Sequence, residues 1–381
     1  SRLTAPQRKR VGAPARSDRA ALMSRQRASS GQSALAQLEV PSDISIARQI
    51  GSGSFGSVFA GTFVGQQAAI KAVPIEPTSD GAALSGELQS EIKLLKQCDS
   101  EWVVKFVGCL AKGQMLWIAM ELCEASVSDV LRRTQTPLAE EEIACVAAAV
   151  VQGLDYLHNQ KHILHRDIKA GNVLLTSARG GGIKLCDLGV SASIASHTKR
   201  STVIGTPLWM SPELIESGAY GASTDIWSLG ITLIEMAELL PPHSQVNPTI
   251  RALFLISANA SPTLAQPDEW SADLLAFSND CLVKDPKGRV TAAQLLSHPL
   301  VARGRAGGMG FIAPMLARYA EAAGSSQPNS SAPTDRGTRT LDLMASAATD
   351  GGGMLLAPRP RTGIVAASGG TAGSGGTAGS G

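Results

Sequence analysis

Five short motifs stand in one order along this chain, and that order restricts the fold more than any bulk property does. Gly51-Ser52-Gly53-Ser54-Phe55-Gly56-Ser57-Val58 comes first, followed by Ala69-Ile70-Lys71 and by His165-Arg166-Asp167 with Asn172. Asp187-Leu188-Gly189 and Ser211-Pro212-Glu213 complete the set. A glycine turn of the first kind also serves dinucleotide-binding folds, where it runs directly into a helix. Here the flanking segments read as strands. Ile44 to Ile50 and Ser57 to Phe63 are short, hold branched apolar residues and are bounded by glycine or polar residues, as are Gln67 to Val73 and Leu116 to Leu122. One helix is expected among them, from about Ala82 to Gln97, with Leu84, Leu88, Ile92 and Leu95 at helical spacing. After about residue 124 helical patterns dominate. Ile143, Val146, Val150, Leu154 and Leu157 form one apolar stripe, and Thr224 to Leu239 is nearly apolar throughout. Thr291 suits the N-cap of a helix from Ala292 to Ser297. A small strand-rich lobe followed by a larger helical one, with the motifs at the seam, is an α+β, two-lobed architecture.

The chemistry these residues share is phosphoryl transfer, which needs a phosphate cover, an anchoring lysine, a base and metal-holding oxygens in one cleft. Glycines at 51, 53 and 56 let backbone N–H groups approach phosphates unobstructed, although the turn alone is equally a structural hairpin. The Gly-Lys-Ser/Thr of a P-loop is absent. Alternation along Gln67 to Val73 turns Ala69 and Lys71 to one side. A lysine there can bind phosphate oxygens; the plainer alternative, a solvated lysine, is weakened by the spacing from Gly51. The octapeptide His165 to Asn172 is the least compatible with chance. In it Asp167 would accept or orient the proton of an attacking hydroxyl, Lys169 would steady the γ-phosphate and Asn172 would hold one Mg²⁺. Asp187, after the strand-like Ile183 to Cys186, would supply the main Mg²⁺ carboxylate.

Together these motifs resemble a eukaryotic protein kinase of the serine/threonine type, over about residues 44–303. The resemblance implies the two-lobed protein kinase fold, a small β-rich N-lobe with one regulatory helix and a mainly helical C-lobe, with ATP and Mg²⁺ as its ligands. It assigns Ile50, Gly51, Ser52, Gly53, Ser54, Phe55, Gly56, Val58, Ala69 and Lys71 to the nucleotide. Glu91 becomes the partner of Lys71, with Glu87 one turn earlier as the alternative. Met120, Glu121, Leu122 and Cys123 become the hinge that receives adenine through backbone groups. Glu213 would pair with Arg289 as a structural clamp, and Asp225 would brace the catalytic loop. Lys169 two residues after Asp167, and Thr206 bridging the two, are serine/threonine markers. Thr202 is the expected phosphorylation site, with Arg166 placed to capture the phosphate. Leu188 replaces the commoner phenylalanine.

Cys98-Asp99-Ser100, Val127-Ser128-Asp129, Lys169-Ala170-Gly171-Asn172, Trp209-Met210 and Cys281-Leu282-Val283-Lys284 are similar to the Sterile-20 group, germinal-centre type. That likeness implies a signalling kinase acting upstream in a cascade, on proteins bearing Ser/Thr hydroxyls, other kinases among them. A pseudokinase or scaffold of the same fold is the alternative. It requires a broken part, and Lys71, Glu91, Asp167, Asn172 and Asp187 are all present. A small-molecule kinase is disfavoured by the loop at Thr206 and by Ser211-Pro212-Glu213.

Composition limits the remaining classes. A formal charge of +2 over 381 residues gives no reason to expect a nucleic-acid partner. The six cysteines form no metal spacing and are expected as free thiols, Cys186 included, which suits a cytoplasmic protein. No apolar run reaches the roughly 18 residues of a membrane span. Residues 1–40 carry eight Lys/Arg against Asp18 and Glu39. They are expected as a basic, disordered tail, with an organelle transit peptide as the second reading. Residues 304–321 are expected as a short helical segment after the catalytic domain, and 322–381, rich in Ser, Gly, Ala and Pro, as a low-complexity disordered tail.

Overall fold

The computed structural model describes residues 40–53, 56–75, 89, 92–93, 95–177, 182–188, 207–218 and 220–324. All of them lie in one compact unit, residues 1–333. The chain opens with a five-stranded antiparallel sheet in the order β1-β2-β3-β5-β4. Its strands are β1 (Ile44–Gly53), β2 (Gly56–Phe63), β3 (Gln66–Pro74), β4 (Phe106–Lys112) and β5 (Met115–Met120). Period-two alternation divides β3 between two cores. Ala68, Ile70 and Ala72 join Ile44, Phe59 and Trp117 on one face, while Val73 joins Ile92, Leu116 and Ile118 on the other. Ala69 and Lys71 share the parity of Val73, as the alternation predicts. The expected strand Leu116 to Leu122 ends at Met120, where the Glu121 N–H turns to the Lys105 carbonyl at 2.9 Å. Gln89, Ile92, Lys93, Leu95 and Lys96, within the helix expected from Ala82 to Gln97, are helical.

Beyond the sheet the chain is mainly helical. α1 (Val127–Thr134) follows β6 (Ala125–Ser126) and is capped reciprocally: the Asp129 N–H donates to Ser126 Oγ, and the Ser126 N–H donates to the Asp129 carboxylate, each at 3.0 Å. α2 (Glu140–Asp155) carries the expected stripe and is buried from Glu142 to Val151. A second sheet, β6-β7-β8, contains β7 (Val173–Thr176) and β8 (Gly182–Leu185). α3 (Pro212–Ser217) leads to α4 (Ala222–Glu238), which is buried at every position from Thr224 to Ala237. The remaining helices are α5 (Thr249–Ala258), α6 (Ala272–Cys281), α7 (Ala292–Leu295), α8 (Pro299–Gly307) and α9 (Ile312–Gly324). Thr291 caps α7, accepting the Gln294 N–H at 3.2 Å.

Segment 304–321 contains the end of α8 and most of α9. Gly304 allows α8 to press on α2, since a Cβ there would stand 2.0 Å from the Ala144 carbonyl oxygen. Ile312 and Met315 are buried in the main core, and Arg318 pairs with the buried Glu142 at 2.6 Å. The two lobes are laced where Val104 N–H meets the Leu185 carbonyl (2.9 Å) and Leu185 N–H meets that of Trp102 (2.8 Å). Among the described residues, no helix is long and apolar enough to cross a membrane.

Candidate functional site

The sheet places the first two motifs side by side. Cross-strand partners run Gly51–Val58 between β1 and β2, Val58–Lys71 between β2 and β3, and Lys71–Ile118 between β3 and β5. The glycine turn therefore sits one strand away from Lys71. Its glycines have different reasons to be glycine. Gly56 has φ +133°, and a Cβ there would lie 2.0 Å from the Ala72 carbonyl oxygen, so the fold itself demands it. At Gly51 a Cβ would meet only Val58 at 3.7 Å, an ordinary contact. The protein's own packing leaves room there, so the fold itself does not require glycine at 51. Ile50 is 38% exposed, apolar surface left open beside the turn. Ser54 and Phe55 lie outside the described residues.

Lys71 is buried and donates to Asp187 Oδ1 at 2.9 Å, an ion pair joining β3 to the segment after β8. Glu91 lies outside the described residues. Beside the pair opens a largely apolar cavity lined by Leu95, Val104, Met120, Leu185 and Leu188. Ala69 stands opposite Met120. Past Met120 the Glu121 side chain pairs with Lys184 at 3.1 Å and accepts the Lys105 N–H. Among the described residues, no hydrogen bond engages the Leu122 or Cys123 N–H or the Glu121 carbonyl, so this stretch keeps main-chain donors and an acceptor uncommitted.

The octapeptide forms a tight polar knot. Lys169 Nζ donates to Asp167 Oδ2 at 2.7 Å, and Asn172 Nδ2 donates to the same oxygen at 2.8 Å and to the Asp167 carbonyl at 2.6 Å. The Cys186 N–H donates to the Asn172 carbonyl at 3.0 Å, which ties the knot to Asp187. Two residues here hold positive φ, Arg166 at +70° and Asp187 at +61°. Such backbone costs on the order of 1–3 kcal/mol at a non-glycine residue and persists only where the surroundings over-determine it. For Arg166 the constraint is α4. Asp225, wholly buried, accepts the His165 and Arg166 N–H groups at 2.8 Å each and contacts His158 Nε2 at 2.8 Å. The Arg166 guanidinium lies over the Tyr220 ring at 5.6 Å. Burial lowers the pKa of His165, outweighing the pull of Asp225, Asp167 and Asp187. Burial also holds the Cys186 thiol far above its ordinary value and pushes Cys123 up to about 12, so neither is a thiolate near neutral pH.

Further from the cleft, Arg289 meets Glu213 through both guanidinium nitrogens, at 2.7 and 3.0 Å, and reaches the carbonyls of Ser223, Val283 and Lys284. Its guanidinium also lies 5.1 Å from the centre of the Trp227 ring. Thr202 and Thr206 lie outside the described residues.

A family model, protein kinase domain, matches residues 44–301 of the 381. This chain belongs to the protein kinase family. The antiparallel sheet and the helical region after it are the N-lobe and C-lobe of the kinase fold, and the kinase is a phosphotransferase.

The structure of this kinase also sets beside the octapeptide loop a buried carboxylate that the sequence reading missed. Glu235, on α4, accepts the Ala170 N–H and the Trp209 indole N–H, each at 3.0 Å. Burial pushes its carboxyl up to about 7, against the lowering effect of those two donors. The signal was a lone carboxylate inside a stretch read as nearly apolar.

Proposed function

We propose that this kinase transfers the γ-phosphate of ATP, with Mg²⁺, to serine or threonine hydroxyls of protein substrates. The observation that carries the reading is the convergence of Lys71, Asp187, Asp167, Lys169 and Asn172, drawn from the two lobes into one polar cluster.

A triphosphate fits the roof, where Gly51 leaves space that a Cβ would fill, and an adenine fits the uncommitted Cys123 N–H and Glu121 carbonyl. Ile50, Val58, Ala69 and Met120 supply apolar surface for the base, and Ser52 and Gly53 continue the cover. Lys71 neutralises phosphate oxygens. Asn172 commits its amide nitrogen to Asp167, which leaves the amide oxygen to offer. That oxygen and the Asp187 carboxylate form an all-oxygen donor set suited to a hard cation, and these two residues would hold Mg²⁺. When bound, Mg²⁺ supplies charge neutralisation on the phosphates.

Asp167 accepts the proton of the attacking hydroxyl as the new O–P bond forms and the bond to the ADP oxygen breaks. Lys169, already 2.7 Å from Asp167, steadies the transferring phosphoryl. Serine/threonine specificity rests on Lys169 and Thr206. The upstream signalling role in the cytoplasm, with other kinases among its substrates, rests on the Sterile-20 likeness. Phosphate on Thr202, held by Arg166, would switch activity, and Thr202→Ala would then abolish activation. The test is to incubate the purified chain with labelled ATP, Mg²⁺ and a generic basic protein, then hydrolyse the product. Phosphoserine and phosphothreonine without phosphotyrosine are expected; phosphotyrosine alone overturns the specificity, and no transfer overturns the enzyme reading.

A further inference from the structure

Away from the cleft, one turn of the small lobe carries two unfavourable features at a single residue. Phe63 pairs with Gln66 across β2 and β3, so the connection is the two-residue loop Val64-Gly65. Both residues hold positive φ, +48° and +78°, as in a type I′ turn. Such a turn favours asparagine, aspartate or glycine at its first position, because a β-branched side chain crowds its own backbone there. Val64 is also 68% exposed, so a strained apolar side chain is presented mainly to solvent. Single exposed apolar residues are ordinary; the strain is what distinguishes this one, since it persists where something over-determines it. The Val64 N–H donates to the Asp43 carbonyl at 2.7 Å, a main-chain bond that does not call for valine.

The surroundings of Val64 indicate its partner. The Ile44 N–H donates to the Pro41 carbonyl at 3.1 Å, so the chain turns through residues 41–44 directly beside it. Val40 and Phe63 both pack on the core of the sheet that holds Ile70 and Trp117. Val40 is where residues 1–39 join the described fold, and its carbonyl accepts Lys112 Nζ from β4 at 3.2 Å. Between residues 24 and 39 the large apolar side chains are Leu35 and Leu38. At about 3.4 Å per residue they lie within roughly 7 and 17 Å of Val40. Glu39, the one carboxylate of residues 19–39, adjoins Val40 in sequence and is opposite in charge to Lys112. A second copy of the chain is a poorer occupant, because one exposed valine supplies a small part of the ~800 Å² per partner that a stable interface buries.

We propose that Val64 is the docking point for this chain's own N-terminal segment, with Leu35 and Leu38 packed on Val64 and Glu39 set against Lys112. The contact lies at the end of β2 opposite the glycine turn. It holds the basic residues 1–40 against the small lobe, at the far end of the sheet from the phosphate cover.

The experiment uses the full 381-residue chain and compares wild type, Val64→Asn, Leu35→Ser/Leu38→Ser and their combination. Amide hydrogen exchange of residues 34–39 and the melting temperature are the readouts. Wild-type amides 34–39 should exchange about tenfold or more below the rate of an unstructured chain. Leu35→Ser/Leu38→Ser, outside the described fold, should abolish that protection, and Val64→Asn should reduce it by about fivefold.

Asparagine suits the turn, so Val64→Asn should raise the melting temperature by about 2 °C or more once Leu35 and Leu38 are replaced. With both leucines present the rise should be less than half as large, because the lost contact offsets the relief of strain. Equal shifts in the two backgrounds would make turn and segment independent and overturn the proposal. No rise in the Leu35→Ser/Leu38→Ser background would remove the strain on which it stands. Unprotected amides at 34–39 in wild type would overturn it as well. So would protection that grows with protein concentration, which assigns Val64 to a second copy.

Discussion

Above the cleft, Gly51 and Val58 pair across two strands, Ile50 is left exposed, and what is offered is bare backbone and apolar surface. Below it, Asp167, Lys169 and Asn172 bond to one another, and the backbone around them is held by two buried carboxylates of α4. The roof is shaped by the absence of side chains and the floor by their mutual restraint. The proposed function, in which the site admits and releases a nucleotide while stabilising charge at one point, calls for both: an adaptable cover and a preorganised floor.

This contrast predicts where substitutions separate activity from stability. The largest effect is expected at the floor's reacting end. Asp167→Asn should lower kcat by about 10²–10⁴-fold with little change in melting temperature, measured by phosphate transfer and thermal unfolding in parallel. Next comes the floor's support. Asp225→Ala strips the acceptor from two N–H groups, that of His165 buried and that of Arg166 partly so, and should cost about 3 kcal/mol in denaturant unfolding, as well as activity. Arg289→Ala should cost a similar amount, about 3 kcal/mol, by leaving Glu213 without its bidentate partner far from the cleft.

Smaller effects should divide the roof itself. Gly56→Ala should destabilise by about 1–3 kcal/mol, through strain at positive φ and collision with Ala72. Gly51→Ala should unfold like wild type, within about 0.5 kcal/mol, and raise KM for ATP. If the two glycine variants behave alike, the distinction between structural and ligand-directed glycine is wrong.

The smallest effect is a pH dependence. Burial by itself raises the pKa of Glu213, but the hydrogen bonds and charge of Arg289, together with the main-chain and Ser211 hydrogen bonds, outweigh it and the net shift is downward from 4.5. A carboxyl lowered in the folded state stabilises above its unfolded pKa and loses that stabilisation as pH falls through the folded value. Stability should therefore decline on acidification below pH 4.5, less steeply in Glu213→Gln.

Much of the roof was legible in the sequence because its determinants are local. Short runs of branched apolar residues bounded by glycine or polar residues marked β1, β2, β3 and β5, and alternation along β3 placed Ala69 and Lys71 together. β4 escaped because Phe106 to Leu110 are each only partly buried and show no alternation. The floor was legible as a motif but not as a mechanism of support. His158 and Glu235 act across 67 and 65 residues of chain, separations over which no periodicity speaks. The Lys71–Asp187 pair spans 116 residues; chemical grounds put both residues in one cleft, but the expected partner of Lys71 was Glu91.

The most direct test of the preorganised floor is transfer of labelled γ-phosphate from ATP by wild type and by Asp187→Asn, with Mg²⁺ varied and folding checked by melting temperature. The account predicts Mg²⁺-dependent transfer by wild type and its loss, by about 10²-fold or more, in an equally stable Asp187→Asn. Equal transfer by both proteins, or by neither, would contradict it.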